Sequence, residues 1–233
     1  MFSFIRSPKV TSLNKKQQRI LDNYQLEERP QNNQLLSDTK LVAVDFETTG
    51  LNPGKDEIIS MGFCPIVDDG IRLANCKHIV VKTEQQLTSE NVAIHGLTDD
   101  ILSQGMTQKK AFLKFLELTR DHVIVAHYHQ IEKTFSQNLA ISIIGKPVQL
   151  SFSDTYLFAQ KRMQRRQQVL TQKSLRLFNL RKQLGLPHYK AHNALEDAIS
   201  TAELYLAQKA SLSMQSDIIK LKDMGLFNYR SRR

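Results

Sequence analysis

The sequence predicts an α/β domain: a mixed central β-sheet flanked by helices, with helical extensions at both ends. Three observations predict it. Residues 41–46 (LVAVDF) and 122–126 (HVIVA) are short, nearly continuous apolar runs bounded by polar turns, the pattern of buried strands. Asp68-Asp69-Gly70 lies between two apolar runs and signals a tight hairpin, hence an antiparallel part of the sheet. After residue 122 strands alternate with helical periodicities, which requires parallel pairing through crossovers.

The elements follow in order. Residues 1–38 read as an extension in which Val10, Leu13, Ile20, Leu21 and Tyr24 mark a weakly amphipathic helix, with a linker at 28–33. The domain proper spans 39–210. Its first strand, 41–46, is followed by a polar turn, a second strand over 57–67, the hairpin, and a third over 71–81. Thr107 is placed to cap a helix carrying Phe112, Phe115, Leu116 and Leu118. The strand 122–126 precedes a helix over 131–144, and three more helices are expected over 154–166, 174–184 and 193–210. Residues 211–233 form a C-terminal piece with Ile218, Ile219, Leu221 and Met224 on an amphipathic pattern, ending in Arg230-Ser231-Arg232-Arg233.

Composition narrows the functional classes. The chain of 233 residues is 41% hydrophobic and 24% charged, a globular balance. It has no apolar run of membrane-spanning length, and its start is too short in apolar residues for a secretory signal, so a cytoplasmic location without membrane partners is expected. Cys64 and Cys76 lack metal or redox spacing and are expected to be free thiols. The net charge of +9 is concentrated: between Asp154 and Glu196 there is no acid, but there are Lys161, Arg162, Arg165, Arg166, Lys173, Arg176, Arg181, Lys182 and Lys190. Such a stretch is either a solvated helix face or the footprint of a polyanion.

Two clusters carry chemistry. Asp45 and Glu47, two apart on a strand, point to one side at its C-terminal end, where open α/β sheets place ligands. Adjacent acids on an apolar strand repel and require a proton or a cation. Near the other end, Asn193 and Glu196 have capping-box spacing, which puts His192 just outside a helix and Asp197 rigidly within it. His127, His129, His188 and His192 do not form a zinc motif, since Asn193 starts the helix after the His188/His192 pair.

Taken in order, these segments resemble the DEDDh family of 3′–5′ exonucleases, which includes the epsilon subunit of bacterial DNA polymerase III. Residues 44–50 (VDFETTG) resemble the first motif, 93–98 (AIHGLT) the segment beside the nucleotide, and 192–198 (HNALEDA) the third motif. The second motif usually reads His-Asn-x-x-Phe-Asp; here it is 127–132 (HYHQIE), with Glu132 in the place of the Asp. Asp154-Thr155 resembles a family pair with a structural role.

The resemblance implies an RNase H-like exonuclease fold and hydrolysis of phosphodiesters from a 3′ end, with DNA favoured over RNA. It implies catalysis by Asp45, Glu47, Glu132, His192 and Asp197, with the four acids holding two Mg²⁺ or Mn²⁺ ions. Thr48, Thr49 and His95 are implied to contact substrate, and the charge of the basic stretch, with Arg165 and Arg166, would then hold the phosphates of a single strand. A polymerase or repair partner is implied, and oligomeric state is left open. An exoribonuclease, or a binding module whose nuclease has weakened at Glu132, are the alternatives.

Overall fold

A computed structural model describes residues 12–26, 28–167, 171–189, 192–214, 216 and 218–228. Val10, Lys190 and the arginines of the C-terminal tail lie outside the described residues. The strands are β1 (Lys40–Thr48), β2 (Ile58–Val67), β3 (Gly70–Ile71), β4 (Lys77–Val80), β5 (His122–Ala126), β6 (Ser151–Asp154) and β7 (Leu226–Asn228). The helices are α1 (Lys15–Leu26), α2 (Ser89–His95), α3 (Asp99–Ser103), α4 (Gln108–Thr119), α5 (Gln130–Ile144), α6 (Thr155–Arg165), α7 (Leu177–Gln183) and α8 (Ala194–Ser213).

The sheet order is β3-β2-β1-β5-β6-β7, with β4 also on β2. β1, β5 and β6 run parallel, while β2 pairs antiparallel with β1 and β7 antiparallel with β6. Alternation along β1 splits its side chains between two cores. Val42, Val44 and Phe46 pack with α4 and α5 through Phe112, Phe115, Leu116, Phe135 and Ile143. Leu41 and Ala43 pack on the other face with Phe158, Ala198, Ala202 and Tyr205 of α6 and α8. Asp45 and Glu47 continue that second row, so both acids face α8.

The pairing of β1 with β5 ends at Ala43–Val125, and β1 runs five residues further. Its free edge is where the loops after β5 and before α8 converge. Gly62, paired with Asp45 across the ladder, lets α8 start directly on the sheet: a Cβ there would lie 1.9 Å from the Ala194 carbonyl oxygen.

Several elements differ from expectation for identifiable reasons. The strand expected over 71–81 is interrupted by a 3-10 turn, Leu73–Asn75. The segment 151–154 is a strand that the sequence hides: its serines are buried, and Ser153 Oγ donates to the Met224 carbonyl at 2.6 Å. Asp154 thus ends β6 and caps α6, accepting from the N–H groups of Tyr156 and Leu157. The helix expected over 174–184 is shorter, covering Leu177–Gln183. Beyond the end of α8 at Ser213, the described C-terminal residues are helical only over the 3-10 turn Leu221–Met224, and then supply β7 as an edge strand. The N-terminal helix, expected to pack on the domain surface, does so: α1 buries Leu21 in the first core with Leu13, Ile20 and Tyr24 against it. Cys64 and Cys76 are free. Among the described residues no helix is long and apolar enough to cross a membrane.

Candidate active site

The carboxylates singled out from sequence converge at the free edge of β1. Asp45, Glu47 and Asp197 offer oxygens that all lie within 4.8 Å of one another. Asp197 reaches them from the first turn of α8, whose start is fixed by the Asn193 side chain accepting from Leu195 N–H at 3.0 Å and Glu196 N–H at 3.2 Å. Glu132, in the first turn of α5, is buried, and the backbone of Phe46, between the two acids of β1, acts on its carboxyl against burial. It stands beside the three-acid group rather than within it.

The electrostatics follow from this crowding. Burial, then Glu132, Asp197 and Glu47, push the Asp45 carboxyl well above the ordinary range. Burial is also the first cause at Glu132, raised to about 8, and at Asp197, raised to about 7. One oxygen on each of Glu47, Glu132 and Asp197 is buried with no hydrogen-bond partner. Orphaned carboxylate oxygens are costly unless a proton or cation meets them. Hard anionic oxygens suit divalent cations of the Mg²⁺ or Mn²⁺ kind, so these residues fit such a group.

His192 borders the cluster. Its backbone has a positive φ of 71°, its N–H donates to Asp197 Oδ2 at 3.1 Å, and its side chain is exposed. His95, at the end of α2, places Nδ1 2.8 Å from Glu47 Oε2 but off the hydrogen-bonding line, and its ring lies 6.2 Å from that of His192. It therefore meets a carboxylate directly, a contact that sequence alone did not show.

The remaining expected site residues are placed differently. Thr48 Oγ1 donates to the Gly50 carbonyl at 2.7 Å, and Thr49 Oγ1 binds Gln85 Oε1 at 2.9 Å while accepting from the Glu57 N–H. Both hydroxyls brace the turn after β1. Arg165 and Arg166 are not brought to the carboxylates, because α6 starts at the C-terminal end of β6 and leads away. Arg162 Nη1 donates to Ser211 Oγ at 2.8 Å, and Ser211 lies roughly 20 Å beyond Asp197 along α8 at the helical rise. The two arginines there line a cavity of about 500 Å³ with Lys161, Arg162 and Lys222. Arg181, counted in the basic stretch, is buried. It donates to the Ser200 and Pro187 carbonyls and to Glu203 Oε2 at 2.6 Å, clamping α7 to α8.

Asp154 and His129 support the site. Burial would raise the Asp154 carboxyl, but the His129 ring at 2.6 Å, the His129 N–H at 2.9 Å and the cap of α6 hold it below the ordinary range. This bond ties the start of α5, and with it Glu132, to the end of β6.

A mixed sheet with helices on both faces, three acids gathered at the end of its first strand with Glu132 beside them, and a histidine before the last long helix define a DEDDh-type exonuclease. Residues 42–205 match the family model RNase_T, described as Exonuclease, and the chain belongs to that exonuclease family. It is 29% identical over 191 residues to the PolC-type DNA polymerase III of Thermotoga maritima, covering 80% of this chain and 13% of that protein. The chain thus spans only a small part of the length of such relatives. It is 29% identical over 175 residues to the DNA polymerase III epsilon subunit of Treponema pallidum, covering 75% of this chain and 78% of that one. Among solved structures it resembles the nuclease domain of 3′hExo, a DEDDh family member bound to rAMP, with a TM-score of 0.62, 14% identity, and 83% and 97% of the two chains covered. Cell-death related nuclease 4 is similar with a TM-score of 0.63, 19% identity, and 77% and 65% covered.

Proposed function

We propose that the protein is a metal-dependent 3′–5′ exonuclease that releases nucleoside 5′-monophosphates from the 3′ end of DNA, in the cytoplasm, in association with a polymerase or repair partner. The observation that carries this is the convergence of Asp45, Glu47 and Asp197 within 4.8 Å, with oxygens of Glu47, Glu132 and Asp197 left without a partner. The choice of DNA rests on similarity to polymerase III proteins.

Asp45, Glu47, Glu132 and Asp197 would hold two Mg²⁺ or Mn²⁺ ions. Bound there, such ions supply charge that acidifies a water and neutralises the phosphoryl and leaving oxygens. His192, an imidazole exposed beside the acids, accepts the proton of the attacking water. The new P–O bond forms on the terminal phosphate, the bond to the 3′-oxygen of the preceding nucleotide breaks, and that oxygen is protonated from solvent. The N–H bond to Asp197 keeps the imidazole tethered beside the acids while its side chain stays free to approach and leave. His95 and the threonines are assigned to the terminal nucleotide, His95 through Glu47 and the threonines by shaping the turn. Arg165 and Arg166, at the far end of α6, are assigned to phosphates of the strand well away from the scissile bond.

Turnover on matched single-stranded DNA and RNA oligonucleotides, with Mg²⁺, Mn²⁺ or EDTA and with chromatography of the products, tests this reading. Mononucleotide 5′-monophosphates from DNA, abolished by EDTA, are expected. Faster release from RNA would make the protein an exoribonuclease, and binding without metal-dependent product would make it a binding module.

A further inference from the structure

Tyr128 has a backbone and an exposure that folding does not explain. It adopts φ 68°, a left-handed conformation that a bulky side chain disfavours, at a position where the second motif usually has Asn. Its side chain is not repaid by burial, since the residue is 48% exposed. Strain of this kind persists where surrounding structure enforces it, and often marks a functional position.

The enforcement is visible. Asp154 Oδ1 accepts from the Tyr128 N–H at 3.2 Å and also from the Tyr156 N–H at 2.8 Å, so one carboxylate oxygen fixes both tyrosines. The rings meet edge to face with centroids 5.4 Å apart. Tyr156 is backed in turn by His127 at 5.9 Å, whose Nδ1 is 2.8 Å from Thr155 Oγ1. The result is a rigid aromatic wall with one half-open member.

Its location relates it to the acids. Tyr128 and Tyr156 follow the C-terminal ends of β5 and β6, which run parallel to β1 and lie next to it in order. At about 4.8 Å between strands, the wall stands roughly 5–10 Å to the side of Asp45 and Glu47. That is one to three nucleotides at about 3.4 Å each. Lys173 and Arg176, both exposed, flank Leu175, whose backbone acts on the His127 ring, so cations for the phosphates border the same wall.

We propose that Tyr128, backed by Tyr156, is a stacking platform for a nucleobase of the substrate strand, one to three nucleotides from the end being cut. This rests on the nucleic-acid exonuclease reading above. Stacking on an aromatic ring tolerates any base and contributes substantially per base, which suits an enzyme that removes nucleotides in succession.

Binding of a 5′-fluorescein 12-nucleotide single strand, followed by anisotropy in EDTA, tests it on Tyr128→Ala, Tyr128→Phe and Tyr128→Asn. Each is run with an intact strand and with strands abasic at one of the three nucleotides next to the terminal one. Tyr128→Ala and Tyr128→Asn should weaken binding of the intact strand about tenfold, and Tyr128→Phe less than twofold. For one abasic position, wild type and Tyr128→Ala should bind equally. Tyr128→Asn should melt at or above the wild-type temperature, because Asn accepts positive φ. Wild-type affinity in Tyr128→Ala, or an equal loss on intact and all abasic strands, would overturn the platform. Hydrolysis by wild type, measured alongside with Mg²⁺, separates the two claims. Turnover with no Tyr128 effect sinks the platform alone, and neither binding nor turnover sinks both.

Discussion

Gly62 lies opposite Asp45 in the β1–β2 ladder, and the carbonyl of Ala194 occupies the space its side chain would take. That single close approach sets α8 down on the sheet at the height of the acids. It is why Asp197, one turn into α8, arrives beside Asp45 and Glu47. Gly62→Ala should therefore act on the site through the helix. With backbone on both sides of the clash, an overpacking cost of about 1–3 kcal/mol is expected. A displacement of Asp197 by about 1 Å should lower kcat on the order of 10²-fold. Urea unfolding and single-turnover cleavage check the two numbers together; a stable, fully active variant would show that α8 is not seated by this contact.

Proton linkage gives a second expectation. In the metal-free protein the carboxyls of Asp197 and Glu132 are raised to about 7 and about 8, and Asp45 is raised too. Acids with raised folded-state values bind more protons folded than unfolded, so stability falls as pH rises towards those values. His127, lowered by burial to about 4, and His78 and His122, also lowered by burial, are half charged in the unfolded chain at about pH 6.5, so they oppose this trend weakly there and no longer do so above about pH 7.5. The melting temperature in EDTA should drop between pH 6.5 and 8.5. Mg²⁺ or Mn²⁺ should restore it, and by more at pH 8.5 than at 6.5. A flat EDTA profile would mean the acids are not in one crowded site.

Glu132 separates charge from reach. Glu132→Gln removes the charge at constant shape, and should raise metal-free stability at pH 8 while weakening metal-dependent turnover by about 10²-fold or more. Glu132→Asp shortens the side chain by about one carbon–carbon bond, roughly 1.5 Å, and should keep turnover within about tenfold. Loss of all activity in Glu132→Asp would show that the longer reach of Glu is indispensable.

Arg181 is the buried cation of the basic stretch, and its pairing with Glu203 is structural. Arg181→Ala leaves Glu203 with only the Tyr189 hydroxyl and takes the guanidinium donor from two carbonyls, and should cost about 3–5 kcal/mol, read by chemical denaturation. A loss below about 1 kcal/mol would remove the clamp from the account.

The far end of α6 should show itself by substrate length. Reversing Arg165 and Arg166 to Glu should weaken binding of strands of about 12 nucleotides or more and flatten the dependence of log K on log salt by about 1.4 for two phosphates. A trinucleotide, too short to span roughly 20 Å, should bind as to wild type. An unchanged salt slope on long strands would return these residues to a solvated face.

Much of this was legible in the sequence, because the chemistry is local. Asp45-x-Glu47 needs only a strand's alternation, and Asn193 with Glu196 needs only the rules of helix capping. The strand His122–Ala126 declared itself by continuous apolarity. What stayed hidden depends on partners distant in the chain. Ser151–Asp154 pairs parallel to β5 and is completed by β7, more than seventy residues later, so neither strand has a local signature. Arg181 reads as one more surface cation until Glu203 is placed against it. Gly62 carried a weak signal, a glycine within a strand, whose usual reason is close backbone approach. Tyr128 carried one as well, an aromatic where the second motif has Asn, but its positive φ and its pairing with Tyr156 needed the fold.

The most direct test of the central claim is degradation of a 5′-labelled single-stranded DNA by wild type and Asp45→Asn, each with Mg²⁺ and with EDTA. The account predicts a ladder shortening from the 3′ end for wild type with Mg²⁺, and none in the other three lanes. A ladder that persists in EDTA or in Asp45→Asn, or none from folded wild type with either Mg²⁺ or Mn²⁺, would contradict it.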